Sequence, residues 1–252
     1  MMRLSRSNLK KDGGFTLVEL AIALTVIGLL LAGLLKSVEL IENGRVGTFV
    51  AQTGHYESAI SAFRSLYKAL PGDMHDPARL SACSGFCAGG GNGDGMIFSS
   101  NGADFTGSSN SESHRVWVHL SRAGLINTVD PTYTTSQTSK AGLDYAPVVF
   151  DGGVFDLHYN RLAFSSSRPL PEVGHYLKTR NLPMSNTSNN LLTYQQAQKI
   201  DAKMDDGRPV SGRVVAWRFV SGAVQACGTL ADNEYNLTNR NTRCDVSIRM
   251  NF

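Results

Sequence analysis

Residues 14–20 read Gly14-Phe15-Thr16-Leu17-Val18-Glu19-Leu20 and continue through 21–35 as AIALTVIGLLLAGLL. From Phe15 to Leu35 this is a run of 21 residues with one charge, Glu19. About 20 apolar residues span the hydrocarbon of a bilayer, and no other stretch of the chain approaches that length, so the sequence supports one anchor and excludes a polytopic protein. A carboxylate inside such a run costs about 2.5–3.5 kcal/mol on insertion scales unless something compensates it. Snorkelling to the membrane surface is one answer and a cationic partner is the other.

Upstream lie Arg3, Arg6, Lys10 and Lys11 against Asp12. A secretory signal peptide places its small-residue cleavage site after the apolar stretch, whereas here the small pair Gly13-Gly14 precedes it, so the apolar segment would survive processing. The chain has 252 residues and a net charge of +3, with 42% hydrophobic and 18% charged residues, which is ordinary for a globular protein. The leader carries the whole positive excess. No basic stripe with interleaved aromatics occurs elsewhere, so nucleic acid is not supported as a partner.

The segment Gly14 to Leu20 closely resembles the processing site of type IV prepilins and type II secretion pseudopilins. It shares a short basic leader, glycine before phenylalanine, glutamate at the fifth position after the cut, and an apolar helix beyond. The resemblance implies that a prepilin peptidase removes residues 1–14 and that the new Phe15 amine is methylated to N-methylphenylalanine. It also implies that Glu19 neutralises the Phe15 amine of an adjacent subunit and sets the register of each incoming helix. The expected protein is a structural subunit of a type IV pilus or type II secretion filament. Its expected partners are other pilin or pseudopilin subunits, an inner-membrane assembly platform and, before assembly, membrane lipid. It would sit in the inner membrane with a periplasmic head, then in a periplasmic or cell-surface filament. A minor subunit at a tip, serving recognition, adhesion or DNA uptake, is the alternative.

The expected fold is α+β and pilin-like: a long N-terminal helix packed on an antiparallel β-sheet head. Residues 15–35 form its membrane or filament-core half, 36–70 continue it amphipathically, and 71–252 form the globular head. Phe49, Val50, Tyr56, Ile60, Phe63, Tyr67 and Leu70 recur at mostly three- and four-residue steps, one stripe of a helix that Pro71-Gly72 ends. Gly44, Gly47 and Gly54 each weaken it by about 1 kcal/mol, so a bend or melted turn is expected within 43–54. Gly28 and Gly33 lie in the apolar half, at a spacing that does not form a GxxxG face.

Further on, 112–125 reads as a short helix with Val116, Trp117 and Leu120 inward, and 146–150 with 154–164 as a hairpin across Asp151-Gly152-Gly153. Thr193 and Gln196 form a capping box that opens a second helix bearing Ala197, Ile200 and Met204, stopped at Gly207-Arg208-Pro209. Strands follow at 213–220, 223–230 and 245–250.

Four cysteines behind a membrane-targeting segment read as disulfides, and local pairing of Cys83 with Cys87 and of Cys227 with Cys244 is preferred among the three connectivities. Zinc lacks its spacing pattern. The resemblance adds that many type IV pilins close a C-terminal loop with cysteines. The glycine stretch 89–95 is no phosphate loop, having no Gly-Lys-Ser/Thr. It reads as a tight turn, with calcium at Asn92 and Asp94 as the alternative; the acidic ligands and closing Glu of an EF-hand are missing from the local sequence. No other cofactor is implied. Asp201, Asp205 and Asp206 read as a solvated helix end. The six histidines form no zinc-hydrolase pattern and no G-x-S-x-G elbow exists, so a membrane-anchored extracytoplasmic enzyme is the least favoured class and no catalytic residue is assigned.

Overall fold

A computed structural model of the protein describes residues 14–98, 111–132, 140–160, 172–182, 190–220, 223–229, 233–238 and 242–252. The leader before Gly14, residues 161–164 of the expected hairpin, and residues 99–110 and 133–139 lie outside them. The chain divides into two compact units, 1–44 and 45–252.

Helix α1 runs from Leu17 to Tyr67, 51 residues. Its helical bonding is unbroken through 43–54, so the melted turn expected from the glycines does not occur. The scattered glycines cost less than the surrounding good helix formers and tertiary packing return. Every residue from Gly14 to Ile41 is exposed, and the first buried side chain is Val46. From there Val46, Phe49, Thr53, Tyr56, Ile60 and Phe63 recur at alternating three- and four-residue steps and are all buried.

In the second unit the strands are β1 (Ala146–Pro147), β2 (Gly153–Asn160), β3 (Gly174–Asn181), β4 (Leu192–Thr193), β5 (Val214–Val220), β6 (Ala223–Ala226), β7 (Gly228–Thr229), β8 (Glu234–Tyr235) and β9 (Arg243–Arg249). Two more helices are α2 (Glu112–Arg122) and α3 (Tyr194–Met204). Among the described residues the main sheet has the order β1-β2-β3-β9-β5-β6, with β4 also on β9, and β7 pairs β8 separately. The named strand pairs are all antiparallel, which confirms the α+β layout.

Register explains the two faces. Leu157, Leu177, Ile248 and Val214 stand side by side across β2, β3, β9 and β5 and are fully buried. The 45–67 part of α1 packs on this face: the Phe49 and Tyr56 rings each lie 5.4 Å from Phe155, and Trp117 of α2 meets Tyr56 edge-on at 5.2 Å. The neighbouring residues Asp156, Lys178, Ser247 and Val215 form the matching row on the opposite face, and they are buried as well.

Strand β3, in the middle of the sheet, is absent from the sequence reading because Lys178 and Arg180 carry the polarity of an exposed face, whereas the fold buries Lys178 and half-buries Arg180. The hairpin is shorter than expected on its first side, Ala146–Pro147. The expected strand 223–230 is split at Cys227 into β6, which pairs β5, and β7, which pairs β8. The capping box at α3 forms as read, with Gln196 N–H on Thr193 Oγ1 at 3.2 Å and Thr193 N–H on Gln196 Oε1 at 2.8 Å.

Trp117 is fully buried where α2, α1 and the sheet meet. Replacement by alanine is expected to destabilise the fold by about 3–5 kcal/mol, read from urea unfolding of the full chain in detergent by circular dichroism.

Candidate functional site

The N-terminus of α1 is built from the residues the sequence singles out. Thr16 donates to Glu19 Oε2 from both its N–H and its hydroxyl, at 2.9 Å each, and Glu19 N–H donates back to Thr16 Oγ1 at 3.2 Å. This reciprocal pair is a capping box, T-x-x-E at 16–19, which satisfies the N–H groups of Thr16 and Glu19. The sequence reading missed Thr16 although its spacing to Glu19 carries the signal. Glu19 therefore has a role inside its own chain. One carboxylate oxygen, Oε2, takes both Thr16 bonds, and Oε1 accepts none among the described residues.

Gly14 has no neighbour within 4 Å of where a side chain would begin, so packing within the described chain gives no reason for glycine before Phe15. The same holds at Gly28 and Gly33 in the helix. Phe15 is 89% exposed and Leu29 71% exposed. An unbroken apolar surface of this extent needs lipid or protein around it.

In the head, three separated pieces of sequence build one loop. Asp73 is buried and accepts the N–H groups of Gly93 at 2.7 Å and Gly95 at 2.8 Å. Glu112, the first residue of α2, accepts from Asn92 at 3.1 Å and Phe98 at 2.8 Å. Gly72 has φ +87° and lies against the Glu112 carbonyl, so a side chain there would collide with α2. Burial pushes both carboxylic acids above their ordinary range, an effect that the donated N–H groups oppose. Neither anchor was legible, because each lies about 20 residues from the loop in sequence. Asn92 and Asp94, the calcium candidates, bond within the loop. Asn92 Oδ1 accepts from Asp94 N–H, and Asp94 accepts from Met96 N–H and from the Asn92 amide. This Asx turn holds the loop through its own donors.

Among the described residues, two groups bring three potential ligands within 4.8 Å: Cys83, Cys87 and His119, and Asp201, Asp205 and Asp206. Both are committed elsewhere. Cys83 is bonded to Cys87, as Cys227 is to Cys244, the local pairing preferred from sequence. Asp201 is not the solvated residue expected: it is fully buried and accepts from Tyr235 hydroxyl at 2.7 Å and Gly207 N–H at 3.1 Å. Asp205 accepts from the amides of Arg213 and Val214, and Asp206 from Arg208 N–H and Ser211 hydroxyl. The aspartates thus pin the 205–214 turn.

Of the histidines, His119 is buried with Nδ1 accepting from Gly72 N–H at 3.0 Å, which leaves Nε2–H to donate to the Cys87 carbonyl at 3.0 Å. Burial lowers its pKa to about 4. On the polar face of the sheet, burial would raise Asp156, but Arg180 at 2.9 Å and then His158 hold it well below the carboxylate range.

Residues 9–35 match the family model described as the prokaryotic N-terminal methylation motif. This is the motif of the type IV prepilin kind, and it covers the basic leader, Gly14, Phe15, Glu19 and the apolar run. No curated protein and no solved structure matches the chain.

Protonating His119 would cost the native state its neutral acceptor. The group's pKa falls from 6.5 to about 4 on folding, so its contribution is complete above pH 6.5 and is lost as pH falls towards 4, a swing on the order of 3 kcal/mol. Burial raises Asp201 and Asp245 to about 7, and these groups act in the opposite sense over the same range. The prediction is therefore a difference: His119→Gln is less stable than the parent at pH 7, and the gap narrows towards pH 4, as read from paired urea titrations.

Proposed function

We propose that this chain is a filament subunit, pilin or pseudopilin, of a type IV pilus or type II secretion system. The observation that carries this reading is the methylation motif at 9–35 followed by an exposed apolar helix. A prepilin peptidase cuts between Gly14 and Phe15, and the amine of Phe15 is methylated. Residues 15–35 then hold the subunit in the inner membrane as a single pass, with the 71–252 head on the periplasmic side. On assembly this segment exchanges lipid for the helices of neighbouring subunits.

The chemistry of that exchange follows from Glu19. Its capping bonds engage Oε2, and Oε1 is available to the Phe15 ammonium of a neighbour. An ion pair formed inside an apolar bundle is strong because little water screens it, and an unpaired carboxylate there is correspondingly costly. Such a pair rewards one axial register over all others. Burial at about 25 cal/mol per Å2 supplies the cohesion once the segment leaves lipid for a water-surrounded fibre.

Mass spectrometry of fibres sheared from cells tests this directly. The parent protein is expected in the fibre with methylated Phe15 as its first residue, abundantly for a major subunit and in trace amounts for a minor one. Gly14→Leu is expected to retain Met1 and stay in the membrane, whereas Glu19→Ala is expected to be processed but depleted at least about tenfold from fibres. Normal incorporation of Glu19→Ala would overturn the register role, and an unprocessed parent would overturn the whole reading.

A further inference from the structure

The sequence contains two N-x-S/T tripeptides, Asn186-Thr187-Ser188 and Asn236-Leu237-Thr238, the acceptor pattern for a glycan on asparagine. The second lies among the described residues and the first does not. Asn236 follows β8 inside the loop that the Cys227–Cys244 disulfide closes. Tyr235 fixes the site from beneath, because its side chain is buried and its hydroxyl donates to Asp201 at 2.7 Å. Asn236, Leu237 and Thr238 are left exposed, and Glu234 is exposed before them. Leu237 N–H donates back to the Tyr235 carbonyl at 3.0 Å, a γ-turn that puts Asn236 at its tip.

The side-chain bonds show which atom is on offer. Thr238 hydroxyl donates to Asn236 Oδ1 at 2.6 Å, whereas Asn236 Nδ2 donates to no group among the described residues. Asn233, three residues earlier, has both ends engaged: Oδ1 accepts from Val210 N–H at 3.0 Å and Nδ2 donates to Ser211 Oγ at 2.9 Å. Asn92 is engaged at both ends as well, within its own turn. A side-chain amide has two donors to place, and on Asn236 they are left to solvent or to a reaction partner.

We infer that Asn236 is an N-glycosylation acceptor, with a lipid-linked oligosaccharide on a polyprenyl pyrophosphate as the donor. Nδ2 attacks the anomeric carbon, the Nδ2–C1 bond forms, and the C1–O bond to pyrophosphate breaks with its electron pair leaving on the lipid pyrophosphate. The proton that Nδ2 gives up goes to a carboxylate of the transferase, so nothing is oxidised or reduced. Thr238 supplies the hydroxyl by which the acceptor is recognised, and exposed Glu234 offers a carboxylate for a charge-assisted contact with a cationic groove. A saccharide on this turn extends into solvent and displaces no core side chain, as suits an exposed loop. The inference rests on the reading above only in placing the head outside the inner membrane.

The test is intact-mass and glycopeptide mass spectrometry of the full chain, purified in detergent from the membranes of the cells that process it. A species heavier than the polypeptide by one oligosaccharide is expected, with fragmentation placing the added mass on Asn236. Asn236→Gln and Thr238→Val are expected to remove that species, and Thr238→Ser, which keeps the hydroxyl, to retain it. Melting curves of these surface variants should match the parent, and fragmentation of the parent decides the acceptor without them. A parent with no added mass, added mass on Asn186 alone, or a Thr238→Val protein modified as fully as the parent would overturn the inference. The same spectra read the N-terminal peptide. A methylated Phe15 terminus with bare Asn236 overturns this inference and leaves the filament reading standing, and a Met1 terminus with glycosylated Asn236 does the reverse.

Discussion

The head depends on one packed contact: the buried stripe of α1 from Val46 to Phe63 laid against the apolar row of the sheet. Phe49 and Tyr56 press on Phe155, and Trp117 closes the other side of Tyr56. Sheet and helix each expose an apolar face that water disfavours, and joining them removes both from solvent at once. Glu57 strengthens the joint at its margin, pairing Arg213 at 2.6 Å and accepting Asn251 N–H at 2.8 Å. Upstream, residues 14–41 are all exposed, and from Phe15 to Leu35 they are apolar apart from Thr16, Glu19 and Thr25, whereas the 45–67 part of the helix is apolar on one stripe.

Around that joint the irregular parts of the head bury Leu80, Phe86 and Ile97, and carboxylates hold their backbone. Asp73 and Glu112 gather the glycine loop, Asp201 and Asp205 gather the turn before β5, and Asp245 accepts Leu191 N–H at 3.1 Å. A buried loop leaves amides that neither helix nor sheet can satisfy, and an unpaired one costs about as much as a lost hydrogen bond. One carboxylate can accept several such N–H groups, which makes acidic residues efficient anchors for glycine-rich chain. Their charge is then a feature of architecture, and its appearance in sequence is easily mistaken for a cation site or a solvated surface.

Long periodic segments were legible in the sequence. The apolar run, the three- and four-residue stripe after it, the α3 capping box and both local cysteine pairs depend on residues near one another in the chain. The T-x-x-E box is equally local, its signal being the three-residue spacing of Thr16 and Glu19. Strand β3 was not legible: its Lys178 and Arg180 carry the polarity of an exposed face, and only the sheet register places Lys178 in a buried polar row beside Asp156 and Ser247.

The sequence by itself determined the processing motif, the single apolar helix and the α+β class, since each is a matter of residue type at short spacing along one segment. Tertiary structure alone decided which acids anchor which loops and where the central strand lies. Those arrangements join residues about ten to seventy positions apart, and their physics resides in distances that exist only once the chain has folded.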